Sequence, residues 1–323
     1  MLKVLGDPYT RFLTPEQYDT IISAYATGGN AGIGVQLIVD PTQGGKVVVF
    51  DTVKGGPAAK AGLLPGDVIM EVDGLDFSSG TMAEVVASKC RGDIGTDINL
   101  IVLRQGDDNS ENTKKFTVTR EMVKINTVET STFIDKNGNS VGVLKVPAFT
   151  QATISQMMDG LKELQSNDGI STLVLDLRGN VGGYMPAGVD AAKLFLPPRT
   201  RIISELDKSN RATIYINDGI GSETSIPLYV LVDSRTASAS EILTAALQDN
   251  DRATVVGKDV KTFGKGRIQN VQSLENGSGV SVTRAKYRTP KGRDIQGVGI
   301  IPDRLSDKCG KENSAAICLE EFL

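Results

Sequence analysis

The sequence predicts an α/β layered core preceded by a compact β-rich unit. Three observations carry that expectation. Beyond residue 121 apolar strands alternate with amphipathic helices. Thr172–Leu177 and Leu228–Asp233 are apolar runs, the first with polar residues only at its ends, as strands covered on both faces are. Residues 46–120 read instead as short β-branched runs broken by Gly, Pro and Asp-Gly turns.

The elements follow in order. Thr14 is placed to cap a helix over Thr14–Tyr25, with Pro15 at its first position. GGNAGIG (Gly28–Gly34) has the glycine content of a phosphate loop. No Lys-Ser/Thr follows, and Val35–Val39 reads as a strand, so that function is set aside. Lys46–Thr52 is a strand. Gly55–Asp67 holds a short helix at Pro57–Ala61, Val68–Val72 is a strand, and Asp73-Gly74 turns the chain. Met82–Cys90 is helical, and strands Ile98–Arg104 and Phe116–Arg120 flank a charged loop, Gln105–Lys115. In the second half Val141–Val146 is a strand. Ile154, Met157, Met158, Leu161 and Leu164 recur at helical spacing across Thr150–Gln165. Arg178–Gly183 leads into a helix ending at Phe195, and Ser238–Asp249 is a helix. After Ala253–Gly257, Arg267–Leu274 and Val280–Tyr287 form a β-ribbon, and the tail beyond Pro302 is polar.

Composition narrows the chemistry. A formal net charge of -4 over 323 residues disfavours nucleic acid as a partner. No run approaches the length of a membrane span, and MLKVLGDPYTRFL lacks an apolar signal core, so a targeting segment is expected to be absent from this chain. There is no histidine, which excludes Ser-His-Asp, Cys-His and histidine–metal schemes. The three cysteines, Cys90, Cys309 and Cys318, form no CxxC. Cys309 and Cys318 are close enough in the tail either to be bonded or to be unrelated thiols. Neither a metal nor a cofactor is expected.

Three places could carry chemistry. In Ser234–Glu241 small residues crowd a strand-to-helix turn. A serine there meets the free N–H groups and dipole of a helix start, which suit an oxyanion; Ser238 with Glu241 three residues on also reads as a plain capping box. Without histidine, the base for a nucleophilic serine is Lys, Asp or Glu. Lys265, in Thr-Phe-Gly-Lys-Gly, sits where a packed and neutral amine is plausible, although a surface loop lysine is the plain alternative; Gln269, four residues on, reaches it if the loop turns helically or otherwise sits two strand steps away. The glycines of Arg178–Gly183 offer bare N–H groups, or simply make a turn.

The chain resembles the C-terminal processing peptidases, or tail-specific proteases. The matching segments are DPYTRFL (Asp7–Leu13), GIG (Gly32–Gly34), GPAAKAGLLPGDVI (Gly56–Ile69), LDLRGNVGG (Leu175–Gly183), ASASEIL (Ala237–Leu243), ALQDNDRA (Ala246–Ala253), TFGKG with Gln269, and AKYRTPKGRDIQGVGIIPD (Ala285–Asp303). They run in family order over nearly the whole chain. Lys258–Lys261 makes the loop before Thr262 two residues longer than the family's usual pattern.

The resemblance implies a crotonase/Clp-like α/β protease core over 121–305, an inserted PDZ domain (β-rich, a small partial barrel) over 31–120, a helical N-terminal remnant over 1–30 and a tail over 306–323. It implies Ser238 as nucleophile, Lys265 as general base, Gln269 or Glu241 tuning the lysine, and an oxyanion hole of the Ala239 and Gly182 or Gly183 N–H groups. Gly32, Ile33 and Gly34 would hold a substrate's terminal carboxylate, and Arg120 would report peptide occupancy from the junction, where the PDZ could lid the site. The implied partner is a protein or peptide with a free C-terminus, with peripheral contact to a membrane-embedded substrate. DPYTRFL and the tail cysteines are most similar to the photosynthetic branch, which trims a photosystem II reaction-centre precursor in the thylakoid lumen of a plastid or cyanobacterium; the periplasm is the alternative. Two rival functions are a PDZ scaffold with an inactive protease-like core and a non-proteolytic acyl-transfer or hydratase-like enzyme.

Overall fold

A computed structural model describes residues 7, 9–27, 31–40, 45–53, 55–79, 83–105, 111–123, 128–166, 169–219 and 225–323. Residues 28–30 of the glycine run, Met82, and residues 106–110 of the charged loop lie outside these. The chain divides into two compact units, one made of the N-terminal segment with 126–323 and one of 29–125.

The N-terminal segment contributes β1 (Arg11–Leu13) and α1 (Pro15–Thr27). It is not a separate helical remnant, because β1 pairs antiparallel with a strand near the other end of the chain (Arg11 opposite Ser281) and Leu13 is buried.

The second unit follows as β2 (Ala31–Gly32), β3 (Val35–Asp40), β4 (Lys46–Thr52), α2 (Pro57–Ala61), β5 (Val68–Val72), β6 (Leu75–Asp76), α3 (Ala83–Cys90), β7 (Asp97–Gln105), β8 (Glu111–Thr119) and β9 (Glu121–Met122). Its main sheet has the order β3-β4-β5-β7-β8, with β6 on β5, and β2 pairs with β9. The alternation in β7 buries Ile98, Leu100 and Val102 against Val47, Val49, Ile69, Val72 and Val86. The β7–β8 ladder extends to Gln105 opposite Glu111, so Glu111–Lys115, expected in the loop, is strand: 112–115 are exposed on both faces, so no alternation shows in the sequence.

The first unit continues with β10 (Glu129–Ile134), β11 (Ser140–Lys145), α4 (Thr153–Ser166), β12 (Thr172–Asp176), α5 (Met185–Phe195), β13 (Arg201–Leu206), β14 (Ala212–Ile216), β15 (Leu228–Val232), α6 (Ala239–Asp249), β16 (Thr254–Gly257), β17 (Arg267–Ser273), β18 (Gly279–Arg288), β19 (Arg304–Leu305) and α7 (Ala315–Leu319). One sheet has the order β10-β11-β12-β15-β16-β19, parallel from β11 onward. Its central strands β11, β12, β15 and β16 are covered on both faces, as their apolar runs imply. Leu144, Leu173, Leu175, Val230 and Val255 face α4, α5 and α6; Val141, Val143, Val174, Leu231 and Val256 face the tail.

That second layer is where the tail departs from its polar composition. Cys309, Ala315, Cys318 and Leu319 are buried against the sheet, and Cys309 and Cys318 form a disulfide. A second sheet, β1-β18-β13-β14 with β17 on β18, completes this unit.

Candidate active site

Open α/β sheets place ligand sites at the C-terminal ends of their parallel strands. Here the neighbours β12 and β15 run into Arg178–Gly183 and Asp233–Ser238, and side chains fasten the two turns together. Asp233 Oδ1 accepts from the N–H groups of Gly179 (2.9 Å), Arg235 (3.0 Å) and Thr236 (3.0 Å). Burial pushes this carboxyl up, but the bonds from Gly179 and Arg235 outweigh it and hold it below the usual carboxylate range. Across the seam Ala237 N–H donates to Asn180 O (3.0 Å), Ser240 Oγ to the same oxygen (3.1 Å), and Thr236 Oγ1 to Leu177 O (2.9 Å). Arg178 pairs with Asp176 in the interior and donates to Gly310 O at 2.8 Å, tying this turn to the disulfide-closed tail.

Ser238 stands at the start of α6 with φ 56° and ψ −116°, a conformation ordinarily left to glycine. Strain of this kind costs about 1–3 kcal/mol and persists only where the surroundings impose it. Gly182 accounts for part of the imposition: a Cβ on it would lie 2.8 Å from Ser238 Cβ and 2.7 Å from Ala237 O. Gly183 has φ 134° and is pressed onto Phe149, whose carbonyl oxygen would be 2.2 Å from an added Cβ.

The N–H groups of this corner are unequal. Gly182 N–H donates to Asn180 Oδ1 at 2.8 Å. Phe149 bonds to Gly182 O and accepts from Tyr184 N–H, so the Gly183 N–H between them faces the other way. Among the described residues neither Gly183 N–H nor Ala239 N–H, the first of α6, has an acceptor. Of the two glycines expected to offer an oxyanion donor, Gly183 is therefore the one with its hydrogen still available.

Lys265 is brought to Ser238 through Glu241, which is fully buried. One oxygen of this carboxylate accepts from Ser238 N–H (2.9 Å) and Lys265 N–H (2.9 Å); the other accepts from Gly264 N–H (2.7 Å) and Thr262 Oγ1 (2.5 Å). The expected capping carboxylate thus anchors the lysine loop by its backbone as well. Tyr287, on β18, closes the same junction by donating to Lys265 O (2.8 Å) and lying 3.3 Å from Ser238 O. Phe263 N–H donates to Thr236 O at 3.0 Å, which ties the segment just before Lys265 to the serine turn. Burial, reinforced by the positive charge of Arg11, pushes the Lys265 amine below its ordinary value of 10.5, against an upward pull from Glu241.

Gln269 is not drawn to the lysine. It stands at a β-bulge in β17, and its amide donates to Thr283 Oγ1 at 3.3 Å. Thr262, Tyr287, Asn180 and Asp233 carried no expected role. Tyr287 lies in a segment matched to the family, and its lone large aromatic ring in a polar ribbon is the signal that could have found it.

In the second unit Gly32 ends β2, Ile33 is buried, and Ala58 and Val53 donate to the Ile33 and Gly34 carbonyls at 2.8 and 2.9 Å. The N–H groups of Ile33 and Gly34 have no acceptor among the described residues. Beyond this loop β3 is an edge strand with α3 beside it. Arg120 is spent on structure inside this unit. It donates to Lys89 O (3.0 Å) and Cys90 O (3.3 Å) at the C-terminus of α3, and to Thr96 Oγ1 (3.0 Å) and Asp97 O (3.1 Å). Gly32 packs on that same Cys90 carbonyl. Burial pushes the free Cys90 thiol up to about 12 despite Arg120, which makes it inert.

Comparison with known proteins gives the family of the chain. Residues 140–306 match peptidase family S41 and residues 31–119 match the PDZ domain. A carboxyl-terminal-processing protease of Synechocystis sp. is 38% identical over 95% of this chain and 70% of its own length. Carboxyl-terminal-processing peptidase 2 of Arabidopsis thaliana, chloroplastic, is 37% identical over 98% of this chain and 61% of its own length. The solved structure of a photosystem II D1 C-terminal processing protease superposes with a TM-score of 0.62 at 35% identity, covering 98% of this chain and 85% of that one. The chain belongs to peptidase family S41, as a serine-type carboxyl-terminal-processing peptidase that carries a PDZ domain.

Proposed function

We propose that Ser238 and Lys265 form the catalytic dyad of this peptidase. Ser238 Oγ attacks the scissile carbonyl while the neutral Lys265 amine takes its proton. The Ala239 and Gly183 N–H groups receive the oxyanion. Lysine returns the proton to the departing amine, leaving an acyl-serine and a new N-terminus. Water then attacks the ester, lysine again accepting the proton and giving it back to serine, which releases the new C-terminus. The observation that carries this reading is the single buried Glu241 carboxylate, bonded to the N–H groups of both Ser238 and Lys265.

The substrate's tail is bound by strand addition. Its terminal carboxylate meets the Ile33 and Gly34 N–H groups, and its backbone pairs with the free edge of β3. Given the D1 processing protease and the chloroplast and cyanobacterial relatives, the substrate is the precursor of a photosystem II reaction-centre protein, reached from the thylakoid lumen as a peripheral contact at the membrane. The tail disulfide suits such an oxidising compartment.

The test is mass spectrometry of that precursor before and after incubation. A single cut near the C-terminus is expected, lost in Ser238→Ala and in Lys265→Ala while binding of a free-tail peptide persists. Cleavage retained in either variant removes that residue from the dyad. Equal cleavage of free and amidated tails removes the carboxylate loop, and tail binding by the wild type without turnover makes the protein a scaffold.

A further inference from the structure

The DPYTRFL segment at the chain's beginning lies against the lysine loop near its other end. β1 is zipped onto β18, and Thr283 N–H donates to Thr10 Oγ1 at 3.2 Å. This seats Tyr9 so that the Lys265 amine lies over its ring, 5.4 Å from the centroid. The ring is held at its hydroxyl: Gln296 Nε2 donates to Tyr9 Oη at 3.4 Å, while Gln296 Oε1 accepts from Gly266 N–H at 3.0 Å. One side chain therefore links the ring to the backbone next to Lys265. Asp7 completes the fold of the segment, accepting from Tyr9 N–H and Thr10 Oγ1.

We infer that Tyr9 is a positioning residue for the peptidase reaction, roofing the Lys265 amine. The inference rests on Lys265 being the general base.

Two effects of the ring oppose each other. Covering the amine takes it from water and favours its neutral form, whereas the negative face of the ring attracts the ammonium. A cation–π contact is weak at an exposed site, and desolvation of a buried lysine can exceed it several-fold, so cover wins. The other groups facing the amine are Arg11 from β1, which disfavours the ammonium, and Glu241 from α6, which favours it; Tyr287 reaches the lysine's carbonyl. Arg11 is exposed, so solvent and salt weaken its influence.

The experiment is the pH dependence of kcat/KM on a free-tail peptide for wild type, Tyr9→Ala and Tyr9→Phe, with Lys265→Ala beside them. Tyr9→Ala wets the amine and should move the acidic limb to higher pH, lowering kcat/KM at pH about 7 by roughly tenfold or more. Tyr9→Phe keeps the ring and should restore both. Tyr9→Ala with an unmoved limb, or Tyr9→Phe as impaired as Tyr9→Ala, overturns the inference. Turnover retained by Lys265→Ala instead overturns the dyad itself, so the two failures are separable. A drop in melting temperature without a moved limb marks Tyr9 as merely structural and also counts against it.

Discussion

The core and the PDZ unit treat their backbones in opposite ways. Around Ser238 and Lys265, buried acceptors take up the N–H groups: four donors on Glu241, Gly179, Arg235 and Thr236 on Asp233, and Ala237 on Asn180 O. Ala239 and Gly183 are left over in the corner beside the strained serine. In the PDZ unit the elements proposed to bind a tail are left open instead, with β3 at a sheet edge and the Ile33 and Gly34 N–H groups without acceptors among the described residues. Stabilising a transition state needs donors held fixed before the charge develops. Binding a tail by strand addition needs backbone that is still unpaired. The contrast separates changes that cut turnover from changes that cut binding.

Glu241→Ala should break the contrast most severely. It strips the common anchor from four donors, and kcat should fall by about 10²–10³-fold, since displacement of a reacting group by about 1 Å costs that much. The dissociation constant of a tail peptide should not change. Tyr287→Phe is a milder cut at the same junction. Losing its bonds toward Lys265 O and Ser238 O should lower kcat by about tenfold and stability by about 1–2 kcal/mol. An unchanged kcat would show that Glu241 alone sets the spacing.

A third change sharpens the comparison through stability. The Cys309–Cys318 disulfide closes a short loop, with a sequence separation of 9, over the sheet. Cys309→Ser with Cys318→Ser should destabilise the core by about 2–3 kcal/mol. In calorimetry the core transition should move down while that of the PDZ unit stays; equal shifts would mean that the units do not unfold separately. The smallest effect is expected for Arg120→Met. It frees the end of α3 beneath Gly32 and should weaken tail binding about three- to tenfold with kcat unchanged. A loss of kcat at saturating substrate would restore Arg120 as a reporter of occupancy.

Much of this was legible in the sequence because its signals are local. β12 and β15 read as buried strands from their apolar runs, and the absence of histidine directed the search for a base to Lys265. The parts that were not legible depend on pairing across the chain. β10 and β14 have exposed faces and weak alternation, so only their partners define them. The tail averages as polar, yet Ala315, Cys318 and Leu319 fall on one side of a single helical turn and seal the sheet. Spacing and the family resemblance both point Gln269 toward Lys265, but it stands at a bulge in β17 and its amide donates to Thr283. Nothing near Tyr9 in sequence points to Lys265; the register of β1 on β18 brings them together.

The most direct measurement is the rate at which a fluorophosphonate acylates Ser238 as a function of pH, in the wild type and in Lys265→Met. The wild-type rate should rise along one ionisation centred below the ordinary lysine value of 10.5, because burial and Arg11 favour the neutral amine. Lys265→Met should flatten that rise and lose at least about 10²-fold in rate. The same pH profile in Lys265→Met, at undiminished rate, would contradict a lysine base for this serine.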